Sequence, residues 1–203
     1  MVREIIRDLV PGMLPLIIFV SIVLISLRLT YLKGNRKFVF HKEILMLICV
    51  VYILCLYQVV TMQDINYGGI NLIPFKEMFR YDVGSYKFVK NIVGNILLFI
   101  PYGFFSSYYL NNKKIGTNIT LCFIATFTIE VIQYYIGRVF DIDDIILNIV
   151  GGLIGCLGYI ALMAIKENLP KFMKSDWFLN LLFIVLIILG VLYGFNINIF
   201  DYI

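Results

Sequence analysis

An all-α, polytopic bundle of about six membrane-spanning helices with a partly ordered external loop is the fold this sequence predicts, and three observations predict it. Of 203 residues, 61% are hydrophobic and only 15% are charged, against roughly a quarter charged in a soluble domain. Apolar stretches recur at 12–31, 43–62, 91–110, 117–137, 144–165 and 177–195, each near the roughly 20 residues needed to cross a hydrocarbon core. Short groups of Lys and Arg flank them. Despite a formal net charge of +4, these read as topology signals and contacts to anionic lipid, and no nucleic-acid surface is expected.

The elements follow in order. Residues 1–10 interleave Arg3, Glu4, Arg7 and Asp8 with Ile5, Ile6, Leu9 and Val10, a pattern suited to a short interfacial helix. Met13 to Leu27 has no small-residue cleavage site after it, so an uncleaved first span is expected, with Pro11 and Pro15 in its first turn. The next loop carries Lys33, Arg36, Lys37 and Lys42 after Arg28. The positive-inside rule makes that loop cytoplasmic and, with six spans, places both termini outside. Residues 63–90 and the turn at 138–143 are then external. The long loop holds Pro74, Phe75, Met78, Phe79 and Tyr81, an aromatic content that argues for order against the membrane surface. Trp177 and Tyr193 bracket the last span as interfacial anchors, with Asn180 near its start. No repeat or linker divides the chain, so residues 1–203 read as one membrane domain.

Cys49, Cys55, Cys122 and Cys156 all lie in apolar stretches without CxxC or Cys/His spacing. They read as packing residues, and no disulfide, metal or cofactor is expected. His41 is the only histidine and stands beside Lys42; a solvated loop residue is expected there, since no triad or zinc pattern surrounds it.

Helical spacing gathers the polar residues of three spans. Thr126, Glu130, Gln133 and Gly137 form one stripe, as do Asn91, Asn95, Tyr102 and Ser106 around Pro101, and Asp144, Asn148, Gly151 and Gly155. At 1.5 Å per residue Glu130 lies about 10 Å in from Gly137, and Asn95 and Asn148 about 6 Å below their span starts. All three helices therefore present polar groups at similar depth in the external half. Asp141 suits an N-cap, with Asp144 as its third-position partner; Arg138 suits a carboxylate partner or a snorkelling cation. Asn95 and Asn148 suit interhelical hydrogen bonds, and the glycines suit close helix packing. Glu130 has no helix end to cap at its expected depth, so it calls for a partner or a bound group.

Three segments carry a family resemblance: NLIPF at Asn71 to Phe75, NIVGNILLFIPYGFF at Asn91 to Phe105, and EVIQYYIGRVFDIDDIILNIVGGLIG at Glu130 to Gly155. In them the chain resembles the VanZ-like family of bacterial membrane proteins, over a core of about residues 43–165 flanked by extra spans at 12–31 and 177–195. The resemblance implies functional positions at Asn95, Pro101, Gly103, Glu130, Gln133, Arg138, Asp141, Asp144, Asn148 and Gly151. It also implies a bacterial cell-envelope role and reduced sensitivity to glycopeptide antibiotics such as teicoplanin.

Two readings of the site stand open from sequence. In the first, the protein binds a membrane lipid or lipid-linked cell-wall precursor at the external leaflet: Arg138 and Asp141 frame the site, Asn95, Gln133 and Asn148 supply hydrogen bonds, and the NLIPF loop is a lid. In the second, it is an acid/base enzyme acting by transfer or hydrolysis on a lipid headgroup, with Glu130 as the general base or acid and Asp141 or Asp144 holding a cation or Arg138. Transport fits less well, because the polar groups cluster in one half of the bundle.

Overall fold

A computed structural model describes residues 38–61, 69–82, 84–111 and 113–194, together with Val20 and Ile25. The expected interfacial helix at 1–10, the first span at 12–31 and most of the basic loop after it lie outside the described residues.

Helix α1 runs over Phe40–Thr61, α2 over Tyr86–Leu110, α3 over Ile115–Tyr135, α4 over Ile142–Asn168 and α5 over Asp176–Gly194. A 3₁₀ turn at Lys171–Lys174 leads into α5. Four of these helices, α1 to α4, are long and apolar enough to cross a membrane, so the protein is a multi-pass membrane protein. The expected count of about six spans is not supported. The sixth is seen as the apolar helix α5, whose expected end at 195 lies outside the described residues, as does the whole of the first.

Local chemistry moves two helix starts outward from where hydropathy alone puts them. Ser85 caps α2, its Oγ accepting from the Phe88 amide at 3.2 Å, so that helix begins at Tyr86, ahead of the apolar run. Asp141 caps α4 and accepts from the Asp143 amide at 2.9 Å, so α4 begins at Ile142. A two-stranded parallel pair that the all-α expectation omits joins β1 (Ile70–Asn71) to β2 (Phe140–Asp141), with Ile70 opposite Phe140 and Asn71 opposite Asp141.

The bundle is built around α4, which packs most extensively on α2 and then on α3. Its inner face is small: a Cβ at Gly151 would overlap the Ile96 carbonyl, one at Gly155 the Ile100 carbonyl and Phe104 amide, and one at Gly152 the Cys122 sulfur. From the other side, a Cβ at Gly103 would overlap the Gly152 carbonyl. Glycine is required because the backbones themselves touch, the small-residue contact that lets membrane helices gain dispersion energy where no water drives them together. Ile154 and Leu157, on the outer face of α4, are exposed, as lipid-facing residues are.

Polar residues tie the bundle together along its length. Buried Asn118 Nδ2 lies 2.9–3.0 Å from three acceptors, the Gly103 carbonyl, Ser106 Oγ and Ser107 Oγ, among which its two hydrogens are shared. In the turn before Pro101, the Tyr52 hydroxyl donates to the Leu98 carbonyl at 2.7 Å. His41 is not solvated as expected. It is 5% exposed, its backbone N–H donates to Asn180 Oδ1 at 2.9 Å, and its Nδ1 lies 2.9 Å from the same oxygen. The loop reading fails because His41 sits in the first turn of α1, facing α5.

The glycine seam predicts a graded response. Gly155→Ala, where a methyl meets backbone, should cost about 1–3 kcal/mol and lower the melting temperature in detergent. Gly158→Ala, where nothing lies within 4 Å of the new Cβ, should stay within about 0.5 kcal/mol of the parent. Equal melting temperatures for the two variants would refute the close-contact account.

Candidate functional site

The site forms where the chain turns between α3 and α4. Gly137 adopts φ +89°, the left-handed conformation that glycine takes without strain, and the Arg138 amide reaches back to the Gln133 carbonyl at 2.9 Å while the Gly137 amide reaches that of Tyr134 at 3.1 Å. These two bonds are a Schellman closure of α3. Glu130 and Arg138 lie eight positions apart, about 80° around an unbroken helix; the closure folds Arg138 back over the last turn instead.

Inside this corner the side chains bond to one another. Glu130, 1% exposed, accepts at Oε2 from the Asp141 amide (2.9 Å) and at Oε1 from Gln133 Nε2 (2.8 Å), while Gln133 Oε1 accepts from Arg138 Nη1. Asp144 Oδ1 accepts from Asn95 Nδ2 on α2 at 2.5 Å. Asn148 donates from Nδ2 to Thr126 Oγ1 at 2.8 Å, and its Oδ1 is buried with no partner among the described residues. Asn95, Glu130, Gln133, Arg138, Asp144 and Asn148 all line one cavity of about 20 Å³, closed on its apolar side by Leu56, Leu98, Phe99 and Ile129. That space holds about one water. The positive field of Arg138 reaches both Glu130 and Asp144.

A second layer fastens the NLIPF loop to this corner. Asn71 donates from Nδ2 to Asp141 Oδ1 at 2.9 Å. Asp143, 1% exposed, accepts from the backbone amides of Phe75 (2.5 Å), Glu77 (2.8 Å) and Met78 (3.0 Å). Phe75 itself sits at φ +67°, a conformation costly for a residue with a Cβ and held here by these bonds. Burial pushes the Asp141 carboxyl above its ordinary range, against the Asp143 amide and Asn71, which favour its charged form. Bonds thus run without a gap from Glu130 through Asp141 to the loop.

The residues singled out from sequence converge, with changes of role. Asp144 is not the capping partner of Asp141, because its carboxyl turns across to Asn95 on α2. Asp143, two residues after the Asp141 cap, holds the loop. Asn91 is exposed and stands apart from its stripe. Glu130 has the partner its depth demands, namely the backbone at the start of α4. Sequence reasoning missed the Asp143 clamp, since its partners lie 65–68 positions upstream and no local pattern marks them. Pro101, Gly103 and Gly151 line packing contacts or helix interior, not the cavity. Among the described residues, no group of three or more His, Cys, Asp or Glu side chains is placed to hold a metal ion.

The clamp makes a direct prediction. Asp143→Ala leaves three amides without their acceptor, worth on the order of 1–3 kcal/mol, so hydrogen exchange at Phe75, Glu77 and Met78 should quicken by about tenfold or more. Unchanged protection in the variant would show that the loop is held by something else.

Known proteins match this chain over the same elements. The family described as VanZ/LLP1 matches residues 40–165, which take in α1 to α4, the strand pair and every cavity-lining residue. Protein VanZ of Enterococcus faecium is 28% identical over 136 residues, covering 65% of this chain and 77% of that protein. No solved structure matches. Since the family match spans more than half of the sequence and contains the whole glycine seam and the cavity, the chain belongs to the VanZ/LLP1 family.

Proposed function

We propose that this protein binds the polar head of an envelope lipid or lipid-linked cell-wall intermediate at the outer end of the bundle, and thereby lowers sensitivity to a glycopeptide antibiotic such as teicoplanin. The observation that carries this reading is the buried Asn148 Oδ1 without a partner among the described residues, in a cavity that Arg138 also lines. An unsatisfied buried acceptor costs about 1–3 kcal/mol, and a donor from a ligand removes that cost. A headgroup carrying hydroxyls and an anionic group supplies such a donor and a counter-charge for the Arg138 guanidinium.

The loop supplies the route. A cavity of about 20 Å³ is too small for a headgroup, so in this reading the segment at 70–81, tied to the corner through Asp141 and Asp143, lifts to let one approach. Ile73, Phe75 and Phe79 are exposed on it, apolar groups that rest in the interfacial layer where a lipid approaches. Membership of the VanZ/LLP1 family, with its resemblance to a protein linked to teicoplanin resistance, supports the phenotype.

A second reading rests on the water-sized space beside Glu130 and Asp144. In it these two groups act as acid and base in transfer or hydrolysis on a lipid headgroup. Turnover separates the readings: lipids recovered with the parent and with Glu130→Gln, compared by mass spectrometry, differ in headgroup structure only if a reaction occurs.

Orientation belongs to the same proposal. The ends of α2 and α4 away from the site carry Lys113, Lys114 and Lys166, with Lys171 and Lys174 just beyond, a bias that supports a cytoplasmic face there and an external site. With single cysteines at Ser85 and Asn112 in a cysteine-free background, labelling of intact cells should modify the Ser85 site; modification of the Asn112 site alone reverses the orientation.

The binding reading is tested by charge removal. Glu130→Gln and Arg138→Gln should each abolish protection against teicoplanin, and the double variant should be folded yet inactive, because no buried charge is stranded in it. If Glu130 serves structure alone, Glu130→Gln lowers the melting temperature and the double variant recovers both stability and protection. A fully protective, normally abundant Glu130→Gln variant would remove Glu130 from the site.

A further inference from the structure

We propose a second binding site, at the end of the bundle opposite the Glu130 corner, for a phosphate-bearing anion. Its walls come from the start of α1 and the far ends of α2 and α4: Lys42, Tyr108, Tyr109, Asn111, Tyr159 and Lys166 line an open cleft of about 510 Å³. That volume falls in the range of small-molecule pockets, whereas the acidic corner holds about 20 Å³.

The polar groups are donors, and part of the wall is rigid. Tyr159 is 1% exposed, and its hydroxyl donates to Asn111 Oδ1 at 3.0 Å. That bond uses the amide oxygen, so what Asn111 offers the cavity is its Nδ2 donor pair. Asn111 is held in the left-handed conformation (φ +48°) as the cap of α2. Tyr108 stands edge-on to both Tyr159 (6.4 Å between ring centres) and Tyr109 (5.1 Å), which fixes the aromatic side.

Two ammonium groups give the cavity its sign. Lys166 makes no ion pair among the described residues. Lys42 lies 3.8 Å from Asp176 Oδ1, with both side chains more than half exposed, a weak pair that a stronger anion displaces. Ammonium donors, an amide and tyrosine hydroxyls around one space match a phosphate oxygen set, and Lys binds phosphate as a point charge without fixed geometry. Leu162 and Ile165, exposed on α4 just before Lys166, continue from the cavity along a lipid-facing surface. Phosphate on a lipid headgroup and free phosphate share this chemistry.

The molecule carries its own reporter. Trp177, the single tryptophan, follows Asp176, the carboxylate on Lys42. Full-length protein in a neutral detergent would be titrated with dioctanoyl phosphatidic acid, dioctanoyl phosphatidylglycerol, dioctanoyl phosphatidylcholine and inorganic phosphate, following tryptophan emission. The anionic lipids should give a saturable change that Lys166→Glu weakens by about tenfold or more, the loss expected for one charged contact. Lys166 is exposed, so this variant should keep the parent's melting temperature. Tyr108→Phe, which removes only a hydroxyl, should weaken binding less. Saturation by inorganic phosphate at the same concentrations would assign the site to free phosphate, and saturation by the lipids alone would assign it to a headgroup. Equal responses to phosphatidylcholine and phosphatidylglycerol, or binding unaltered in Lys166→Glu, would overturn the proposal.

Discussion

Burying Glu130 and Asp143, each 1% exposed, among apolar helices is the constraint on which the rest of the structure depends. A carboxyl taken out of water and left unpaired costs several kcal/mol, and both groups avoid that by accepting backbone N–H groups from chain that would otherwise have none to bond. Glu130 takes the Asp141 amide at the start of α4; Asp143 takes three amides of the 75–78 loop. The exchange is mutual. Amides at a helix start and in a loop need acceptors as much as the carboxyls need donors, so the acidic corner and the irregular backbone beside it stabilise each other.

The glycine seam serves the same corner from below. Gly151 lets the Ile96 carbonyl of α2 lie directly on α4, and Asn95 is the residue before Ile96. A side chain at 151 would hold the helices apart, and the 2.5 Å bond between Asn95 and Asp144, about two turns away, could not close. Packing and chemistry are therefore coupled: the spacing that gains dispersion energy between helices also sets the distance across which the polar groups meet. Gly137 does the corresponding work in the backbone, turning the chain so that Arg138 folds back over Gln133.

How much of this was legible in the sequence follows from which contacts are local. The stripe of Thr126, Glu130 and Gln133, and that of Asp144 and Asn148, could be read because helical period alone puts their members on one face; α4 as a small-residue helix could be read from Gly151, Gly152 and Gly155. The use made of each group could not. Asp141, Asp143 and Asp144 look alike as neighbours in DIDD, yet one caps its helix, one clamps a loop and one crosses to α2. Their partners differ in sequence distance from 2 to 70 positions. His41 was misread for the same reason, since the residue that buries it, Asn180, is 139 positions away. The span count stands differently: four helices among the described residues are long and apolar enough to cross a membrane, while the expected first span and the end of the last lie outside those residues.

Periodicity itself means something different here from what it means in a soluble protein. In water the apolar face of a helix marks the core. In this bundle apolar residues are everywhere, and the face of α3 that turns inward is marked by its polar and small members: Asn118, Cys122, Thr126, Glu130 and Gln133 are its buried residues, while Ile119, Phe123, Ile124 and Phe127 point out. The physical reason is that lipid solvates an isoleucine as well as another helix does, so exclusion from the surface falls on groups that lipid cannot solvate. Those groups collect inside and must be satisfied there, which is why Asn118 Nδ2 sits among three acceptors and Thr126 accepts from Asn148. Against that background of satisfied groups, the Asn148 Oδ1, without a partner among the described residues, is the exception. It lies at the cavity that the polar stripes of α2, α3 and α4 jointly enclose.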